Sequence, residues 1–319
     1  MDNLTGYDVI GDVHGHLSAL TRLLQQMGYR ETDGGFSHPD RKAVFVGDLV
    51  DRGSHGVGVV ELVRHMVTAG HASIVMGNHE FNAIAYATVD PDRPGEHLRP
   101  HIEKNDKQHV EFMKEVGFGS QLHQEIVEWF RTIPLWLELE LEGRHLRVIH
   151  ACWHSESMAA LQPLLAPDLA MTDTALIEGC RKGTAQFDAI ETLLKGPEVS
   201  MGGRTYFDKD GNPRSNARVA WWRSSARSLR DVALIPENAK SADGSSLSPL
   251  PDSPIDMSHL VYTDPVPVLF GHYWHTGEPA VLTPTTACVD FSVAKGGPLV
   301  AYRWSGEETL RNEHFVATG

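Results

Sequence analysis

Cysteine is scarce in this chain: Cys152, Cys180 and Cys288 are its only three, and no pair of them is spaced C-x-x-C. That excludes a disulfide framework and a cysteine-based zinc knuckle, and it fits a reducing compartment. Long apolar runs are also lacking. No stretch approaches the roughly 20 apolar residues needed to cross a bilayer, so no membrane association is expected. The first apolar run, Tyr7 to Ile10, already reads as a strand and leaves no room before it for a signal core, so the expected location is the cytoplasm. Positive charge is in the minority: 28 Lys plus Arg stand against 42 Asp plus Glu, for a net charge of −14. General attraction to nucleic acid is thereby disfavoured, and a polyanionic substrate would need a locally positive site. What is present is ordinary globular material, 41% hydrophobic and 22% charged over 319 residues. Neither a disordered nor a collagen-like chain has that make-up, and one enzyme-sized domain spanning 1–319 accommodates the length.

The first ninety residues repeat one pattern three times. A short apolar run (YDVI, AVFV, SIVM) leads into a Gly-initiated polar cluster and then into a segment of helical period. This reads as a βαβαβα beginning, and such units place polar clusters where strands run out into loops. Residues 90–120 are Pro-rich, charged and weakly periodic, which predicts a surface excursion. Leu135 to Leu141 and His145 to Ile149 predict a hairpin around Gly143. Residues 151–260 read as a cap-like elaboration, with helical spacing from Met158 to about Leu194 and a Ser/Pro/Gly-rich flexible loop over 238–258. Strands are expected again at Val266–Phe270, Ala280–Leu282, Ala287–Phe291 and Leu299–Trp304.

Five polar clusters each follow an apolar run: Gly11-Asp12-Val13-His14-Gly15, Gly47-Asp48-Leu49-Val50-Asp51-Arg52-Gly53, Gly77-Asn78-His79-Glu80, His150-Ala151-Cys152-Trp153 and Gly271-His272-Tyr273-Trp274. Asp, His and Asn at loop entrances offer mixed oxygen and nitrogen ligands, a combination suited to Mn, Fe or Zn rather than Ca or Mg. A carboxylate such as Asp48 can bridge two cations, and a hydroxide shared between them would lie in line with a bound phosphorus. Loop polarity and helix capping are the bland alternative for any one cluster. Three ordered motifs together speak against it. Cys152 beside His150 invites a nucleophile reading, but no base accompanies it.

The motifs GDVHG, GDLVDRG and GNHE, in that order, resemble the calcineurin-like metallophosphoesterases, and within them the phosphoprotein phosphatase branch that includes bacterial diadenosine tetraphosphatases. The resemblance is carried by residues 11 to 80 and extended less strictly by the His150 and His272 clusters. It implies an α/β fold: a four-layer α/β/β/α sandwich, with inserted surface segments and a two-metal site at the strand ends. It implies that Asp12, His14 and Asp48 bind the first divalent cation and that Asp48, Asn78, His150 and His272 bind the second, Mn being the expected metal, with Fe or Zn as alternatives. His79 would be the general acid, oriented by Asp51, and Arg52 would hold phosphate oxygens. A further phosphate-contacting arginine is expected between the two late histidines, with Arg218 and Arg223 as candidates beside Trp221 and Trp222.

The expected function is hydrolysis of phosphate monoesters by a metal-bridging hydroxide, on phosphoserine or phosphothreonine proteins or on small phosphoesters. The alternative is diadenosine polyphosphate hydrolysis, with the Arg and Trp residues clamping extra phosphates and stacking adenine. A nuclease is disfavoured by the absence of a basic stripe. A non-catalytic scaffold would be marked by a missing ligand or acid, and none is missing.

Overall fold

The computed structural model describes residues 4–207, 213–236, 239–241 and 244–319. Nine strands build its two main sheets: β1 (Gly6–Ile10), β2 (Arg41–Phe45), β3 (Ala72–Ile74), β4 (Trp136–Leu141), β5 (Arg144–Ile149), β6 (Val268–Phe270), β7 (Thr286–Cys288), β8 (Val300–Trp304) and β9 (Phe315–Ala317). The five-stranded sheet runs β9-β8-β1-β2-β3 and the four-stranded sheet runs β7-β6-β5-β4. In the first, β1, β2 and β3 are parallel, as the repeated strand-helix pattern requires, while β8 and β9 join antiparallel. In the second, β5, β6 and β7 are parallel, and β4 pairs antiparallel with β5 as the expected hairpin.

Side chains on a strand alternate between faces, and here both faces are used. Val9, Val44 and Tyr302 of the first sheet share one buried cluster with Leu146, Val148, Leu269 and Ala287 of the second. This is the seam between the two sheets. Their neighbours of opposite parity, Ile10, Phe45, Ile149 and Phe270, join helix residues in a second core. Those helices are α1 (Leu17–Gln26), α2 (Gly56–Thr68), α3 (Asn78–Ala87), α4 (Glu103–Val116), α5 (Gln121–Arg131), α6 (Ser155–Leu161), α7 (Asp173–Cys180) and α8 (Ala185–Lys195). The layers are therefore helix, sheet, sheet, helix, the architecture expected from the motifs. No helix among the described residues is long and apolar enough to cross a membrane.

Three local expectations differ from what is observed. Residues 90–120 hold helix α4, whose His109, Phe112 and Val116 are buried; their i, i+3, i+7 stripe is diluted by charged neighbours, which hid the period. Residues 280–282 form no strand. Instead Pro284 sits in a tight turn closed by a Thr283–Thr286 bridge and a 2.6 Å bond between the two hydroxyls. In the stretch 238–258, Asn238, Ala242 and Asp243 lie outside the described residues. Ala239, Leu250 and Met257 are buried, and isolated bridges tie Lys240 to Phe207 and Pro254 to Ser228. Between α8 and this stretch a small three-stranded sheet joins Glu198–Ser200, Asn216–Val219 and Ala233–Leu234.

Candidate metal centre

Each motif lies just past a strand: Asp12 and His14 in the loop after β1, Asp48 to Arg52 after β2, Asn78 and His79 at the start of α3 beyond β3, His150 after β5 and His272 after β6. The parallel strands of the two sheets deliver these loops to one place. Glycine is required where loops touch: a Cβ on Gly47 would lie 2.3 Å from the Gly77 nitrogen, and one on Gly271 2.1 Å from an Asp12 carboxylate oxygen. His14, Asp48, Asp51, Arg52, His272, Trp274 and Ser292 all have left-handed backbone, with φ between 46° and 69°. Such conformations each cost on the order of 1–3 kcal/mol and persist only where the surroundings enforce them.

Glu80 supplies much of that enforcement. Its carboxylate accepts the backbone N–H groups of Asp48 (2.8 Å), Leu49 (2.8 Å) and Gly77 (3.1 Å), locking the second motif to the third. Complete burial, reinforced by the nearby Asp48 charge, pushes its pKa up to about 7.

The histidine tautomers are fixed by the backbone. The Nδ1–H of His14 donates to the Val50 carbonyl at 3.0 Å, and the Nδ1–H of His150 donates to the Val46 carbonyl at 2.7 Å. Each ring therefore turns a bare Nε2 inward. His14 Nε2 faces an Asp48 oxygen at 3.6 Å; His150 Nε2 faces the other Asp48 oxygen at 3.5 Å and the Asn78 oxygen at 3.2 Å. His272 Nε2 is buried with no hydrogen-bond partner. Burial holds all three imidazoles below their ordinary pKa, His14 down to about 3, so they are neutral. Lone pairs thus face lone pairs, an arrangement that divalent cations satisfy and that protons alone do not.

Two groups of side chains have ligand atoms within 4.8 Å of one another: His14, Asp48 and His79 on one side, and Asp48, His150 and His272 on the other. Asp48 belongs to both. Asp12 lies in neither; its buried carboxylate accepts the His272 backbone N–H at 3.2 and 3.4 Å. Burial, with Asp290 and Asp48 nearby, raises the Asp12 pKa well above the usual carboxylate range. Asp290, pushed up to about 6 by burial, is a carboxylate of this neighbourhood that no motif pointed to. The donor set fits cations: buried acids and neutral imidazoles converge on one spot.

His79 differs from the other imidazoles. Its Nδ1–H donates to Asp51 at 2.5 Å, and its Nε2 lies 3.8 Å from Asp48. Burial opposes its charge, but Asp48 and Asp51 outweigh it and hold the pKa above the ordinary histidine value. Asp51 is itself held from behind by His109, whose Nδ1 lies 2.9 and 3.1 Å from its two oxygens. Burial would raise the Asp51 pKa, yet the bonds from His109 and His79 bring it below the usual range. His109 was invisible to motif reading because it arises from the 90–120 segment.

Of the two candidate arginines, Arg218 is near the centre: its charge acts on both His150 and His272. Arg223 is turned away, donating to the Asp231 carbonyl at 2.6 Å. Trp221 and Trp222 are core residues; Trp221 is fully buried and donates to the Ala151 carbonyl, so neither indole offers a free face for stacking. Burial raises the Cys152 thiol well above its ordinary pKa, leaving no thiolate for covalent chemistry. His154 caps α6, its ring accepting the Ser157 backbone N–H.

Residues 7–163 match the calcineurin-like phosphoesterases. The chain is 49% identical over 74 residues to the asymmetrical bis(5'-nucleosyl)-tetraphosphatase PrpE of Halalkalibacterium halodurans, an alignment covering 23% of this chain and 30% of that protein. It is 44% identical over 73 residues to the protein of the same name from Oceanobacillus iheyensis, covering 23% and 29%. The match thus spans under a third of the length of these curated relatives. A protein serine/threonine phosphatase from Saccharomyces cerevisiae shares the fold with a TM-score of 0.50 at 13% identity, over all of this chain and 80% of that one.

Proposed function

We propose that the protein hydrolyses phosphoric esters or anhydrides with two divalent cations, held by Asp12, His14, Asp48, Asn78, His150 and His272. The observation that carries this reading is the single buried carboxylate of Asp48 set between bare imidazole nitrogens on either side. When bound, two cations supply Lewis acidity that activates water and neutralises phosphate charge; Mn suits the mixed donors, with Fe or Zn as alternatives. The backbone carbonyls of Val50 and Val46 orient the His14 and His150 rings, so no reorganisation is needed at the moment of reaction.

His79 is the general acid and not a ligand. Asp51 holds a proton on its Nδ1, and the raised pKa keeps the second proton on Nε2, the atom facing the site. That proton passes to the leaving oxygen, a contribution typically worth about 10²–10⁴ in rate. Arg52 and Arg218 bind phosphate oxygens, their planar forks matching that geometry. Residues 1–319 act as one domain in this reading, with 90–120 and 151–260 shaping access.

Phosphoserine and phosphothreonine proteins or small phosphoesters fit such a site. A second reading, cleavage of a dinucleoside polyphosphate, is supported by the tetraphosphatase name of the relatives described above. The deciding measurement is kcat/KM of the Mn-loaded protein on a phosphoserine/phosphothreonine peptide pool and on diadenosine tetraphosphate, with a chelated control. Turnover of either that chelation abolishes is the expected result. A protein carrying two Mn per chain and hydrolysing neither would overturn the proposal.

A further inference from the structure

Next to His14 a cleft opens that no motif announced, lined among others by Arg52, Trp274, Asp290, Ser292 and Lys295. The half-exposed Trp274 ring has two exposed cations beside it: the Arg52 guanidinium carbon is 5.1 Å from its centroid and the Lys295 ammonium 3.7 Å. Among the described residues the Arg52 guanidinium makes no ion pair and no hydrogen bond. Held over the indole, the Arg52 guanidinium keeps its N–H donors directed outward, whereas a carboxylate partner would consume them.

The cleft is built and not incidental. Trp274 and Ser292 both adopt left-handed backbone, and both donate their N–H to Asp290 at 2.9 Å, one to each carboxylate oxygen. One buried side chain thereby pins the two loops that carry Trp274 and Lys295. Both Asp290 oxygens are engaged by backbone N–H groups, and Lys295 offsets part of the remaining charge. The exposed polar groups of the cleft are therefore cationic, and the cleft shares His14 with the centre itself.

We propose that Arg52, Trp274 and Lys295 form a second anion subsite for the phosphate adjoining the one attacked, making the preferred substrate class a chain of linked phosphates rather than an isolated monoester. This rests on the hydrolase reading above and narrows it. The subsite is distinct from the Trp221–Trp222 stretch, whose rings are core. The shared chemistry is the phosphoanhydride link, so inorganic tripolyphosphate and diadenosine tetraphosphate serve as separate arms.

The test uses the Mn-loaded full chain as wild type, Lys295→Met and Lys295→Arg, each checked for Mn content and circular dichroism. Binding of methylenediphosphonate and of orthophosphate is measured by titration calorimetry, alongside kcat/KM for tripolyphosphate, diadenosine tetraphosphate and phenyl phosphate. Lys295→Met is expected to weaken the diphosphonate about tenfold more than orthophosphate, with kcat/KM for the linked phosphates falling by a similar margin relative to phenyl phosphate. Lys295→Arg restores most of the difference. Equal weakening of both ligands, or none, overturns the subsite. A fall on diadenosine tetraphosphate without one on tripolyphosphate assigns the contact to the nucleoside and likewise overturns it. Absence of hydrolysis on every substrate, with the diphosphonate difference intact, would overturn the hydrolase reading and leave the subsite standing.

Discussion

Asp51 sits between two imidazoles, and its chemistry follows from both. Toward the centre it holds His79 at 2.5 Å; behind, His109 holds it through both oxygens. As the proposed general acid His79 must be protonated, so activity on a poor leaving group is expected to fall as pH rises through the His79 pKa, which the carboxylates keep above the ordinary value. Asp51→Asn removes one of the charges that raise it. The descending limb of the kcat/KM profile for phenyl phosphate is expected to move to lower pH by about one unit, and an unmoved limb would remove Asp51 from this role. His109→Ala frees the Asp51 carboxylate to turn. It is expected to lower kcat about tenfold on phenyl phosphate and much less on p-nitrophenyl phosphate, with His109→Asn, which keeps an N–H donor, recovering most of the loss. A purely structural histidine would depress both substrates alike. The dyad of Asp51 and His79 was legible through the motifs, whereas His109 was not: a histidine with no neighbouring signature becomes readable only once the chain has folded it against Asp51. The same holds for Trp274 and Lys295, 21 positions apart, brought to one cleft by Asp290.

Among the elements, the strand-then-cluster repeats of the first ninety residues were readable because each short apolar run is followed by a helix of clear period. Helix α4 was obscured, since only His109, Phe112 and Val116 are buried in fourteen residues. Its packing has a second result. Glu115 reaches across to the first turn of α2 and accepts the N–H groups of Gly56 and Val57 at 2.7 and 3.0 Å. No side chain caps that helix from within the chain next to it. A carboxylate there satisfies open donors and meets the positive end of the helix dipole. Glu115→Ala is therefore expected to lower the free energy of unfolding by about 1 kcal/mol, read from urea denaturation; an unchanged midpoint would show that water replaces it fully. Because α2 begins just after Arg52, the same variant should weaken phosphate contacts modestly.

Taken whole, the molecule carries a net charge of −14 around a centre where burial, and after it the Asp290 and Asp48 charges, raise the Asp12 pKa. Cations bound there stabilise the native state by mass action and relieve that repulsion. Stripping them with a chelator is expected to lower Tm by on the order of 5 °C or more, with recovery on adding Mn; an identical melt with and without chelator would argue against tight cation binding. The four-layer arrangement was legible from the resemblance of the motifs, but the pairing of the sheets was not. Which strand of residues 266–304 lies beside β5 depends on long-range contacts such as Leu269 opposite Val148, which no local pattern encodes. That pairing also sets the limits of inheritance. The recognisable family signature ends at residue 163, yet β6, the neighbour of β5, and His272 just beyond it arrive more than a hundred residues later. A gene fragment cut at the signature's edge would encode a half-finished sheet and would lack His272, one of the proposed ligands. Whatever shape the intervening segment takes, its end must return the chain to the seam where Leu269 meets Val148.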